Sequence, residues 1–489
     1  EDAGISPDML NLWTRESPEE PWTLAPSRLE DDLLSAELPH FSQFALGAKL
    51  STSGDRPPSM QIFSVDQLNG SASAVYPLDT PAGLGGLRPS LAFAYSSSSQ
   101  DDLVQEAGDW QIVTQASSVG AGWRLDGVSY IARIGAENKF SLVLNGQSAT
   151  ILKQDGVWRT APALFARLEW AGDGTSSGYG QWVVTTTDGV RYEFGDAGAM
   201  PSSFLPESAT ALMLEQTSST NSTYRQAKRW YLRRVVDLNG NTMEYRYWGE
   251  RGWENGCVND SWVANNRHWF TRALSPTEIL WSRNDAAGVG EYKLRVQFIY
   301  DWANKRQDLR IKGSAAGDCI QAMYGEYNRL LEVRVEVLSN GAWHVLRSYK
   351  LTHLYKRFTK AGAEDMIRPY LTEIAEFGAR GASWPAHTFV YNLTNPNRVM
   401  LLTANNGQGG AITYTYGQLA AACSAGVCPY GSWRLAAMRS DLTDGLGGSI
   451  RTDYWYGPGM IADDGGFRGF GYAQITHYDV DRGAGAGVL

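Results

Sequence analysis

Short runs in which apolar and polar residues alternate, cut by glycine-bearing turns, constrain this chain more than any other feature. Such runs occupy 139–144, 229–238, 242–248, 292–300, 331–338, 346–355 and 386–392. A period of two places one face of a strand on a core and leaves the other in water, as in antiparallel sheets. Between the runs stand Asn239-Gly240, Asp188-Gly189 and Gly409-Gly410, dipeptides that tolerate positive φ and suit tight hairpins. Helical periodicity is nearly absent; the sequence predicts short helices only at 205–216 and 417–424. The expected fold class is all-β.

With 489 residues the chain is too long for one ordinary core and suits two or three domains or one extended architecture. Hydrophobic residues make up 43% and charged residues only 19%, so a large core can be buried. The 43 Lys+Arg against 52 Asp+Glu are spread without runs, and no basic stripe marks a nucleic-acid binder. No run reaches the about 18 apolar residues of a membrane span. The first residues lack the basic and apolar regions of a leader, and the last run is Gly-Ala-rich. The expectation is a chain whose leader was removed or a piece of a longer one. The polar stretch 51–60 is expected to be a linker, and 1–50 the C-terminal remnant of a β-sandwich-like domain. Of four cysteines, Cys423 and Cys428 would close a small loop. A disulfide there favours an oxidising compartment, and buried free thiols are the other reading.

A weak repeat runs through the chain, a turn glycine followed by Tyr-x-Tyr. Its copies are Gly240 to Tyr245-Arg246-Tyr247, Gly410 to Tyr414-Thr415-Tyr416 and Gly448 to Tyr454-Trp455-Tyr456, with a degenerate one at Gly189 to Tyr192-Glu193-Phe194. Alternate tyrosines share a face, and the expectation is that they stack on neighbouring hairpins while their hydroxyls stay hydrated. The repeat resembles the YD repeat of Rhs proteins, teneurins and the B and C components of Tc insecticidal toxins. Residues 75–97, with Pro81-Ala82-Gly83-Leu84-Gly85-Gly86-Leu87-Arg88-Pro89, look like the opening signature of SpvB-type domains, completed by Val119-Gly120-Ala121-Gly122-Trp123-Arg124-Leu125 and Ile131-Ala132-Arg133. Gly466-Phe467-Arg468-Gly469-Phe470-Gly471-Tyr472 is similar to an element of Tc B components and their Rhs relatives.

The resemblance implies an SpvB-like β region over 61–340 and a YD-repeat β-strip over 341–489. It implies antiparallel hairpins spiralling into part of a hollow shell. The chain would be a non-catalytic, secreted or cell-surface wall segment that encloses or displays a polypeptide cargo, its partner being that cargo or the remainder of a longer chain. Surface adhesion or glycan binding on the same scaffold is the alternative. No repeats like those of the Tc B propeller and no ADP-ribosyltransferase signature are evident.

His40-Phe41-Ser42 resembles the cleavage site of self-cleaving nucleoporin, UPA and FIIND-type domains. There a serine hydroxyl attacks its own preceding carbonyl with histidine as base; a plain terminal strand is the other reading. Trp248, Trp253, Trp262 and Trp269 crowd beside a polar stretch. They are candidates for stacking on sugar rings, with sheet packing as the competing use. The other histidines have no ligand spacing, so neither metal nor cofactor is expected. Asp441, Asp444, Asp463 and Asp464 read as turn carboxylates before a calcium loop.

Overall fold

The computed structural model describes residues 62–99, 104–107, 109–112, 116–134, 139–172, 180–196, 211–216, 225–254, 268–304, 306–308, 326, 328–359, 366–394, 399–418, 435–444, 448–457, 459–461 and 467–479, with five strands before residue 50. The chain divides into two compact units, Glu1–Ser59 and Met60–Leu489. In the first, Leu10–Arg15 pairs antiparallel with Thr23–Ala25 on one side and Gln43–Ala48 on the other, and Ser27–Glu30 pairs with Leu33–Ala36.

The second unit is built on one sheet of 21 strands whose spatial order follows the chain from Tyr130–Ile134 to Ala473–Asp479, skipping only Gly459–Ile461 and Phe467–Phe470, which pair with each other. Local turn chemistry explains this order, since each hairpin delivers the next strand to the edge just made. Asn340 and Gly341, both at positive φ (52° and 75°), form a two-residue turn of the kind that matches strand twist. They join Leu330–Ser339 to Ala342–Phe358 without a break in the sheet, at the point where the resemblance implies that one region gives way to another.

The strip is two-faced. In Leu294–Tyr300 every second residue is buried, as the alternation predicts. On the other face charges pair along and across strands: Arg246 bonds Glu244 of its own strand and Glu278 of the next, and Arg295 bridges Glu278 and the largely buried Glu336. The covered face is apolar and aromatic. Part of it lies under a four-stranded sheet in the order Trp123–Asp126, Leu91–Ser96, Ala72–Leu78, Phe63–Val65.

At its start the strip returns on itself. Tyr130–Ile134, Lys139–Leu144, Gln147–Gln154, Val157–Ala161, Arg167–Gly172, Gly180–Thr185 and Arg191–Gly195 pair in sequence. Arg225–Val236 then pairs with both the last and the first of them, making a ring of eight strands. Beyond the ring the sheet is open. Its inside is filled by rings: Phe140, Trp158 and Trp170 lie 5.0–5.1 Å from Trp182, and Phe140 and Trp170 lie 5.8 and 5.6 Å from Trp230.

Within the expected helix at 205–216, residues 205–210 lie outside the described residues and the rest is corrected: Leu212–Gln216 is a strand, held between Arg225–Val236 and His268–Arg283. Its good helix formers are overruled because two open strand edges satisfy its backbone at once. Of the expected helix at 417–424, Gly417 and Gln418 end the strand Gly410–Gln418, and the rest lies outside the described residues. Trp182, 1% exposed, anchors the ring. Trp182→Ala is expected to cost about 3–5 kcal/mol in urea unfolding, while Trp455→Ala on the wet face stays within about 0.5 kcal/mol; equal costs would contradict this packing.

Candidate functional site

The covering sheet joins three motifs that lie far apart in the chain. Its strand Ala72–Leu78 and the following turn belong to the segment 75–97. There the Tyr76 hydroxyl donates to Glu376 (3.2 Å), Asp79 N–H donates to the Tyr349 hydroxyl (2.8 Å) and Trp281 Nε1–H donates to the Pro81 carbonyl (3.1 Å). Gly83 has no side chain because a Cβ would stand 2.6 Å from the Trp281 ring. Residues 117–123 lie across the strip with their backbone paired: Leu330 N–H donates to Ser118 O and Ala121 N–H to Pro369 O. Gly120, at φ 133°, brings this loop against the Leu371 backbone. The third motif closes on the same layer, with Phe470 N–H donating to Leu68 O while Ala437 N–H donates to Gly70 O.

Beneath this layer the Tyr-x-Tyr repeats form a ladder. Tyr247, Tyr300, Tyr391 and Tyr416 each stand where the next strand bulges, leaving Thr277, Leu331, Leu402 and Met438 unopposed. Each also donates its hydroxyl to the preceding strand, to the carbonyls of Leu232, Pro276, Leu371 and Leu401; Tyr456 does the same to Ala437. These five bonds span 2.5–3.0 Å. Every acceptor immediately precedes the unopposed residue of its own bulge: Arg233, Thr277, Thr372, Leu402 and Met438. A bulge bends a strand and disrupts its local pairing, and the tyrosine of the next strand supplies a donor there. The expectation of hydrated hydroxyls is therefore overturned. Burial pushes the Tyr247, Tyr300, Tyr391 and Tyr416 phenols well above their ordinary range.

One rung is a histidine. His353 faces the bulge at Thr372, in the place a ladder tyrosine takes elsewhere. Its Nε2–H donates to Val119 O of the crossing loop (2.8 Å) instead of to the preceding strand. The carbonyl can only accept, which fixes this tautomer. Burial, with the Arg329 and Arg306 guanidinium groups nearby, lowers its pKa to about 4. Arg306 and Asp308 form a buried pair at 2.6 Å, and Arg329 pairs with Asp301 at 3.0 Å. His387 packs edge-on to Tyr76 at 5.0 Å, and burial lowers it likewise to about 4. Both histidines thus touch the covering layer.

Of the residues singled out in sequence, Trp248 is 37% exposed and meets Trp302 edge-on at 5.6 Å. Trp253 and Trp269 are cross-strand partners in register, with side chains outside the described residues. Trp262, His40, Ser42, Cys423 and Cys428 all lie outside them. Asp444 accepts from Gly448 N–H across its turn, as a turn carboxylate does, but Asp441 lies within the strand Leu435–Asp444 and pairs with its cross-strand neighbour Arg451; Asp463 and Asp464 lie outside the described residues. Sequence reasoning missed Phe298-Ile299-Tyr300 and Phe389-Val390-Tyr391, which carry the repeat with phenylalanine first. An aromatic-x-Tyr pattern would have found them.

Tyr391 accepts from Trp123 Nε1–H while donating to Leu371 O. Tyr391→Phe is expected to cost about 2 kcal/mol and Tyr416→Phe about 1 kcal/mol in urea unfolding; a cost no larger than that of exposed Tyr472→Phe would dismiss the ladder. His353, near 4 when folded against an ordinary 6.5, stays neutral while the unfolded chain takes up a proton below pH 6.5. Stability therefore falls as pH drops from 6.5 toward 4, by on the order of 3 kcal/mol for this group. His353→Gln should flatten that stretch of the stability curve, and an unchanged slope would count against it.

No protein-family model and no curated protein matches the chain. Solved structures do. The crystal structure of TcdB2-TccC3-TEV is 14% identical with a TM-score of 0.45, covering 88% of this chain and 22% of that one. The Photorhabdus luminescens Tc holotoxin pore with the TccC3-D651A mutation is 14% identical with a TM-score of 0.42, covering 84% and 19%. The N-terminal domain of the effector SpvB from Salmonella typhimurium strain LT2 is 13% identical with a TM-score of 0.37, covering 62% and 98%. The chain thus spans about a fifth of the Tc chains it matches.

Proposed function

We propose that this chain is a non-catalytic wall segment of a secreted bacterial Rhs- or Tc-like protein that encloses a polypeptide cargo. The observation that carries the reading is the strip itself, 21 strands in chain order with one aromatic face and one charged face. A sheet of this kind gains wall one hairpin at a time without rearranging the strands already paired. The ladder tyrosines support the same use, since they keep bulged, bent strands hydrogen-bonded. The charged face suits contact with water, and the covering sheet ties distant parts of the wall together. The partner is accordingly a polypeptide, encoded with the wall or supplied beside it.

Protease challenge of the protein as its source makes it, read by intact mass and peptide mapping, tests this. Enclosed cargo should survive trypsin in the native protein and be digested once urea opens the wall. Digestion at equal rates in both states would overturn enclosure and leave adhesion or display. The same spectra read self-processing, which would yield a fragment beginning at Ser42 that disappears in Ser42→Ala.

A further inference from the structure

Asn-Gly, the dipeptide that builds several tight turns of this protein, is also a pair whose backbone can react with its own side chain. Glycine has no side chain to hinder its nitrogen from attacking the carboxamide before it. Asn-Gly occurs at 69–70, 145–146, 239–240, 340–341 and 406–407, and at 255–256 outside the described residues. The two residues are the same each time, so the surrounding fold decides how each pair behaves.

At all but one of the described pairs the fold ties the turn down. Asn69 Oδ1 accepts from Ser71 N–H (2.8 Å), and Gly70 N–H donates to Asp66 O (2.7 Å). Gly240 N–H donates to Asp237 O (3.1 Å), and the Asn239 carbonyl accepts from Asn284 Nδ2–H (2.9 Å). Asn406 is buried, and its Oδ1 accepts from the Gln408 and Gly410 N–H groups, both at 2.9 Å. Asn145 is exposed, but its amide donates to the Tyr192 hydroxyl and its N–H to the Ser129 hydroxyl, each at 3.2 Å. Asn340-Gly341 has none of these ties. Both residues are exposed, and neither the Asn340 carboxamide nor the Gly341 N–H meets a partner among the described residues. A Cβ built on Gly341 would meet no atom within 4 Å, so the space beside it is open.

We infer that Asn340 is a site of spontaneous deamidation, the position at which this protein ages first. Solvent base takes the Gly341 N–H proton, the nitrogen attacks Asn340 Cγ, and the C–N bond of the carboxamide breaks to release ammonia. The resulting cyclic imide takes up one water. Opening at the side-chain carbonyl leaves aspartate; opening at the main-chain carbonyl leaves isoaspartate, in which the chain runs through Cβ. The sum is a carboxamide plus water giving a carboxyl group plus ammonia. Closing the imide requires Asn340 to leave its left-handed conformation (φ 52°), so the reaction runs while the turn is open. A solvent-exposed turn without side-chain ties opens most readily. The product matters because a two-residue loop sets the register of the hairpin it joins. Isoaspartate lengthens the main chain by one carbon atom between Leu330–Ser339 and Ala342–Phe358 and adds a negative charge there.

The full chain, incubated at mildly alkaline pH and sampled over time by tryptic peptide mapping with mass spectrometry, tests this. The fragment 335–347 carries Asn340 and no other Asn-Gly. In the native protein it is expected to convert at least about tenfold faster than the fragments carrying Asn69, Asn239 and Asn406, and faster than the one carrying Asn145. Enzymatic methylation identifies the isoaspartate. In urea, which removes the ties, all these rates should come within about threefold of one another. Asn340→Gly, which suits the same turn, abolishes the reaction. Aged wild type should unfold at lower urea than fresh protein, and aged Asn340→Gly should not. Conversion of Asn340 no faster than that of Asn69 or Asn406 in the native protein would overturn the site. So would the same ordering persisting in urea, since local sequence and not the fold would then set it. An equal loss of urea resistance in aged wild type and aged Asn340→Gly would overturn the effect on the hairpin.

Discussion

A tyrosine hydroxyl buried against a carbonyl one strand back is the interaction on which this sheet depends. A long antiparallel strip cannot stay flat, because strand twist accumulates, and bulges are the means by which it bends. Each bulge disturbs backbone pairing on a face that is being covered, where unpaired groups are costly. Placing a tyrosine opposite the bulges at Thr277, Leu331, Leu402 and Met438, with its hydroxyl on the carbonyl beside the bulge before, links these strands in series. Tyr391, bonded to both Trp123 and Leu371, also joins that series to the covering layer. The wet face needs no such device. There, Arg246 and Glu278 pair across strands near the surface, where such bonds are weak but favour register, and Arg295 joins Glu278 to the buried Glu336.

His353 is the rung at which the ladder changes chemistry. A phenol in that place would remain neutral at any physiological pH. An imidazole between Arg306 and Arg329 is neutral only while the solution does not force a proton on it. The bond it makes goes to Val119 of the crossing loop, so a change in its charge bears on the loop before the strip. His387 stands in a related position under Tyr76, without a cation near enough to add to the effect of burial.

Much of this was legible in the residues, for reasons that can be traced. The alternation in 292–300 and 331–338 reports burial directly, and the strands Leu294–Tyr300 and Leu330–Ser339 fall where it places them. Asp237 and Asn239 before Gly240 read as turn formers, and Asp237 does accept from Asn239 and Asn241 N–H. The tyrosine repeat was visible, but its hydroxyl acceptors lie 15 to 24 residues back in the chain, at bulges that no local pattern announces. For the same reason nothing in Thr352-His353 marks a missing tyrosine, and nothing in Trp182 or Trp230 announces that their strands close a ring. Leu212–Gln216 misleads because its residues favour a helix while its neighbours offer strand edges.

The chain-ordered strip also sets a timetable. As the polypeptide emerges, each new strand finds its partner already made, so the sheet can grow by zipping at one edge with short loops to close. The covering strands are synthesised first, yet Tyr76 waits for Glu376 and Tyr95 for Leu401, some 300 residues later. For most of synthesis, then, the earliest segment of this unit presents Phe93, Tyr95 and Trp123 without the floor they will rest on. That interval, rather than the finished protein, is when the chain is most in need of a chaperone.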